Sequence, residues 1–90
     1  MDNIAKKGRY LLEKKDLSRK VFGNYLRARR KELNLSLEEA GFQAGVDHNN
    51  LSRVERGEQY ANANTLFKLE PVLQMKISQI FQEIREKGDK

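Results

Sequence analysis

The chain has no cysteine, no tryptophan, a single proline and no long apolar run. Without cysteine there are no disulfides, no thiolate metal ligands and no cysteine nucleophile, and the composition agrees with a reducing compartment. The apolar runs are a few residues long, far short of the ~20 that span a bilayer. The opening residues Met1-Asp2-Asn3-Ile4-Ala5-Lys6-Lys7 lack the apolar centre of a secretory leader. A cytoplasmic protein is therefore expected. β-Branched residues are sparse and strict alternation is absent, which leaves no strand to assign. One histidine offers no metal-ligand cluster, so neither metal nor cofactor is expected. There is also no Ser/His/Asp set, no phosphate-cradling glycine loop and no carboxylate pair in an apolar setting, and an enzyme is not expected.

What is present is charge, and its distribution is uneven. The 90 residues are enough for one domain. A core of that size is marginal, and a partner subunit would help it. Hydrophobic residues make up 38% and charged residues 34%, with a net charge of +5. Residues 1–35 hold eleven Lys/Arg against four Asp/Glu, and residues 36–90 hold seven against nine. The N-terminal part is strongly basic, which suits a polyanionic partner or else a solvated, lysine-rich helix face.

The apolar spacing reads as a chain of short helices. Residues 1–17 form a basic extension. It is either a helix with Asn3 as cap and Ile4, Leu11 and Leu12 on one side, or a basic arm; Gly8 weakens the helix. A domain is expected over residues 18–86. Ser18 can cap a helix to about Leu33, with Val21, Phe22, Tyr25, Leu26 and Leu33 inward. Arg19, Lys20, Arg27, Arg29, Arg30 and Lys31 then form its basic outer face, and Asn34 is a left-handed stop. Ser36-Leu37-Glu38-Glu39 reads as a capping box that opens a second helix to about Ala44. Asp47 can cap a third, His48 to Arg56, ending at Gly57. A fourth carries Leu66, Phe67 and Leu69, and Pro71 should end or kink it. A fifth carries Ile77, Ile80, Phe81 and Ile84 at i, i+3, i+4, i+7. Residues 87–90 read as a frayed tail.

Residues 36–57 carry the function. Two short helices crossing steeply need a tight turn and a small residue where they touch. Gly41 fits the contact and Gly45 the turn, where a positive φ is wanted. Ala40, Ala44, Val46, Leu51 and Val54 supply the surrounding apolar positions. This is the pattern of a helix-turn-helix.

The segment Leu26-Arg27 … Leu35-Ser36-Leu37-Glu38-Glu39 … Gly45-Val46 … Leu51-Ser52-Arg53-Val54-Glu55-Arg56-Gly57 … Leu66-Phe67-Lys68-Leu69 … Ile80-Phe81 resembles the lambda-repressor-like, Cro/xenobiotic-response-element (XRE) family over residues 21–84. The resemblance implies an all-α, five-helix domain, usually dimeric, that binds operator DNA as a regulator of repressor or controller type. It implies that Glu55 pairs with Arg30, and that Arg30, Ser36, Arg56 and the Tyr60–Asn62 loop meet the DNA backbone. Leu37 stands where the family often has glutamine, Ala61 where proline is usual, and Gly41 where alanine is commoner. Pro71 has no expected counterpart.

A recognition helix enters the major groove with its N-terminal side chains at the base edges. Leu51 and Val54 point inward on such a helix, so His48, Asn49, Asn50 and Arg53 are the base-reading candidates. Asparagine can pair bidentately with adenine and arginine with guanine. Ile77, Ile80 and Ile84 are the candidates for a homodimer interface. Two rivals remain beside a DNA-binding regulator: an antitoxin-like or protein-interaction module that engages a partner such as a toxin, and RNA binding, which the scarcity of aromatics for stacking disfavours.

Overall fold

The computed structural model of the protein describes residues 16–87. Most of the basic extension and the last three residues of the tail lie outside the described residues. Five helices and no strand are present among those described: α1 Arg19–Glu32, α2 Leu37–Ala44, α3 His48–Glu55, α4 Ala63–Leu73 and α5 Ile77–Lys87.

The expected caps form. Ser18 Oγ accepts from the Val21 amide at 3.2 Å. Ser36 Oγ accepts from the Glu39 amide at 3.0 Å, and the Ser36 amide donates to Glu39 Oε1 at 2.8 Å, closing the capping box. Asp47 accepts from the Asn49 amide at 3.2 Å. Each cap satisfies an amide that the first helical turn leaves unpaired. Asn34 ends α1 in the left-handed conformation, φ 60°, and Gly45 makes the turn between α2 and α3 at φ 72°.

The core is one cluster. Phe22 and Leu26 of α1 meet Ala40 of α2, Leu51 and Val54 of α3, Leu69 and Leu73 of α4, and the inward stripe of α5. Leu26, Leu51, Leu69 and Ile80 are fully enclosed, each stabilising the fold by about 1.5–3 kcal/mol. Phe22 and Phe81 pack ring to ring, centroids 5.6 Å apart, and close α5 onto α1.

Three expectations change here. Ile77, Ile80 and Ile84 are all buried within the single chain, Ile80 completely. They are core rather than spare surface, in one cluster with residues of the other four helices. Pro71 does not end α4: the helix runs on to Leu73 and stops at Gln74, φ 53°. Pro71 and Phe67, whose carbonyl loses its amide donor, both lie on the exposed side, where water can serve the freed oxygen. Arg29 leaves the basic outer face. Its Nε donates to the Leu73 carbonyl at 2.9 Å and its Nη2 to the Gln74 carbonyl at 3.2 Å, tying α1 to the end of α4.

Candidate nucleic-acid interface

The site is built on α3, which at eight residues is too short to persist alone in water. Its seat on α1 is set by Gly23. A Cβ there would stand 2.5 Å from the Glu55 carbonyl oxygen and closer still to that of Val54, so only glycine allows the two backbones this approach. Leu51 and Val54 bury the inward face.

A buried ion pair completes the seat. Arg30 Nε donates to Glu55 Oε2 at 2.7 Å and Nη2 to Oε1 at 2.8 Å, a bidentate fork. The third guanidinium nitrogen, Nη1, donates to the Leu35 carbonyl at 2.7 Å. The bond to Glu55 holds the Arg30 pKa above its ordinary value. Both residues are almost wholly enclosed. The pairing of Glu55 with Arg30 is thus present. Arg30, expected also to meet the DNA backbone, has its side chain buried, with each of its three nitrogens donating inside the fold.

The opposite face of α3 is open. Asn49, Arg53 and Arg56 are exposed, while His48, Asn50 and Ser52 flank them half-buried. His48 lies against Gly41, where a Cβ would come within 3.3 Å of the histidine Cα and 2.6 Å of the Val46 carbonyl oxygen. The glycine therefore sets the approach of α2 to α3. Asn50 Oδ1 accepts from Gln59 Nε2. Arg56 Nε donates to Glu58 Oε2 at 2.7 Å, and its Nη1 donates to Ser52 Oγ. That ion pair is exposed. It lifts the Arg56 pKa above its ordinary value and draws the Glu58 carboxyl below the usual carboxylate range.

The loop after α3 turns at Gly57, φ 77°, where a Cβ would meet Lys20 Cα at 2.8 Å. Tyr60 donates its hydroxyl to the Leu17 carbonyl, and the Arg19 guanidinium stands 5.8 Å from its ring centroid. Asn62 caps α4, its Oδ1 accepting from the Thr65 amide at 2.8 Å; its Nδ2 donor stays free of that bond. Ser36 is exposed at the start of α2. The exposed predicted residues Asn49, Arg53 and Arg56 therefore share one side of α3.

Sequence reasoning missed four participants. Gly23, Arg29, Glu58 and Gln59 act through tertiary contacts with residues far along the chain or across a loop. Only Gly23 left a signal, as a glycine between Phe22 and Leu26 in the middle of a helix, where it costs about 1 kcal/mol relative to alanine without a packing reason. Among the described residues no group of acidic, histidine or cysteine side chains could hold a metal ion. No described helix is long and apolar enough to cross a membrane.

The family model described as helix-turn-helix matches residues 26–80, more than half of the chain. The chain belongs to the helix-turn-helix family. Its relatives by structure are regulators of the XRE, lambda-repressor-like type. This helix-turn-helix chain is similar to the restriction-modification controller protein C.AhdI from Aeromonas hydrophila, with TM-score 0.66 and 30% identity over 70% of this chain and 96% of that one. It is similar to SinR, a master regulator for biofilm formation solved in complex with DNA, with TM-score 0.63 and 31% identity over 67% and 97%. SinR is also known in a complex with the SinI protein. The clp gene regulator ClgR from Corynebacterium glutamicum shares the fold, TM-score 0.70 at 24% identity over 80% and 77%. A search of curated proteins returns no match. The expectations of an all-α, lambda-repressor-like fold and of a DNA-binding regulator rather than an enzyme agree with this family.

Proposed function

We propose that this helix-turn-helix regulator reads an operator by laying α3 in the major groove, with Asn49 and Arg53 at the base edges and His48 and Asn50 flanking them. The observation that carries this reading is the open face of α3. Its exposed side chains stand on a backbone fixed by the Asp47 cap, the Gly23 contact and the Arg30–Glu55 pair. Asparagine and arginine are the side chains whose donor and acceptor geometry matches adenine and guanine edges. In this reading Ser36, Arg56, Tyr60 and Asn62 serve as backbone contacts, which set register and affinity rather than sequence. The protein acts as a homodimer on a two-fold site in the cytoplasm. Its interface uses surface other than Ile77, Ile80 and Ile84.

Selection of bound sequences from random duplex DNA tests the reading and reports half-site symmetry at once. Asn49→Ala and Arg53→Ala are each expected to weaken binding to the selected site by about 1–3 kcal/mol and to relax the sequence preference. Equal loss on selected and random DNA would reduce both residues to phosphate contacts.

Glu58 is expected to oppose binding. Its carboxylate clamps Arg56 and adds negative charge at the end of the recognition helix. Glu58→Gln should free Arg56 for a phosphate, raising affinity on all sequences and steepening the slope of log affinity against log salt by about 0.9. The sign follows from the pair. The bond from Arg56 draws the Glu58 carboxyl below its ordinary range, so the carboxylate is charged at neutral pH and the pair is lost only as pH falls through that lowered value. Affinity and salt slope unchanged in the variant would place Arg56 away from the duplex.

A second reading, engagement of a protein partner, draws on two exposed phenylalanines. Phe42 is 89% and Phe67 76% exposed.

A further inference from the structure

Gly23 fixes where α1 crosses α3, with the carbonyls of Val54 and Glu55 against it. Residues three and four positions apart share a helix face, so Arg27 follows Gly23 one turn on. There α1, α2 and α3 border a cleft of about 210 Å³, lined by Arg27, Arg30, Leu37, Ser52, Glu55 and Arg56. Its charged groups are three guanidiniums and one carboxylate. Arg30 and Glu55 offset each other in the buried fork, and Arg56 is paired with Glu58 in an exposed bridge. Arg27 is exposed, and among the described residues it enters no ion pair. The cleft therefore keeps an excess of positive charge, and the unpaired part of it stands on α1.

We propose that Arg27 contacts a DNA backbone phosphate seated in this cleft, with Ser52 and Arg56 on the opposite rim. The proposal rests on the reading of α3 as the recognition helix and adds a contact from a different helix. A phosphodiester carries one negative charge and oxygens that accept from a guanidinium in pairs, which makes arginine a better partner for it than a point charge. Arg27 and Arg56 are like charges lining one hollow, and an anion between them turns that repulsion into attraction. A contact of this kind carries no sequence information and acts on every duplex alike.

The competing account is that Arg27 belongs to a solvated basic face and acts only through net charge. Arg85, exposed on α5 and outside the cleft, is the control, since its loss changes the net charge equally. The full chain is titrated with its selected duplex and with random duplex over a series of salt concentrations. The wild type is compared with Arg27→Gln, Arg27→Lys and Arg85→Gln, beside their melting temperatures. Arg27→Gln should weaken binding to both duplexes by about tenfold, the scale of a hydrogen bond to a charged group. It should flatten the slope of log affinity against log salt by about 0.9. Arg27→Lys keeps the charge and should keep the slope. Arg85→Gln should leave the slope as in the wild type, and all melting temperatures should agree.

An unchanged slope in Arg27→Gln, or an equal flattening in Arg85→Gln, would overturn the proposal. So would a loss confined to the selected duplex, which would make Arg27 a base contact. A lowered melting temperature with the slope retained would make it a structural residue instead. A wild type that binds duplex without selecting a sequence would overturn the base-reading role of α3, while the slope on random duplex would still decide for or against Arg27. A wild type that binds no duplex would overturn both.

Discussion

Glu55→Ala is expected to lower stability by about 3–5 kcal/mol, because it leaves a buried guanidinium without its counter-charge. Arg30 would keep only the Leu35 carbonyl, and two of its three nitrogens would lose their partners in a largely buried site. Domains of this size have about 5–15 kcal/mol in total, so the variant should sit near the edge of folding. The melting temperature should fall by roughly 20 °C. Replacing both members with well-packed apolar residues, Arg30→Met with Glu55→Leu, should cost much less than the single change, since no lone charge remains inside. An unchanged melting temperature in Glu55→Ala would mean that the carboxylate is solvated and the pair contributes nothing.

Gly23→Ala should also destabilise, by about 3 kcal/mol, although helix propensity alone argues for the opposite sign. In the middle of a helix, alanine is favoured over glycine by about 1 kcal/mol. Against that gain stands a methyl group placed on two peptide carbonyls of α3. Backbone atoms cannot rotate aside as a side chain does, so α1 and α3 must separate and loosen Phe22, Leu51 and Val54 around them. Ala28→Gly, at an exposed position of the same helix, supplies the control and should cost about 1 kcal/mol through propensity alone. Thermal unfolding of the two variants checks both. A stabilised Gly23→Ala would show that α1 and α3 tolerate a wider crossing.

The features legible in the sequence are those whose cause lies within a few residues. Ser18, Ser36 and Asp47 mark helix starts because a cap bonds an amide two or three positions on. Asn34, Gly45 and Gly57 mark stops because the left-handed conformation belongs to the residue itself. The helix-turn-helix follows from these local signals together with the spacing of Leu51 and Val54. What the sequence hid was pairing across distance. Arg29 and Arg30 are neighbours of identical chemistry in one basic run. One caps the end of α4 and the other is buried against α3, and only the three-dimensional crossing tells them apart. The apolar stripe of α5 fitted a core face and a dimer face equally well, because periodicity reports which residues share a side and not what covers it. Pro71 did not end α4 as one of its two readings had it: the Phe67 carbonyl it frees lies on the exposed side, and buried Leu69 and Leu73 hold the helix on the core to its end. At the candidate site, the outward set on α3 followed from helix geometry. The partners of Asn50 and Arg56 did not, since they arrive from a loop whose path depends on the Gly57 turn.

The short recognition helix has one more consequence, for the thermodynamics of binding. Eight residues seated by a glycine contact, a buried ion pair and a capped end hold their backbone order before any duplex arrives. The entropy of ordering that segment is lost when the chain folds, not when it meets DNA. Association then has only side-chain rotamers and solvent left to order on the protein side. Discrimination between operators falls to the fit of a few rigidly mounted amide and guanidinium groups, and mismatched sequences cannot be accommodated by reshaping the helix.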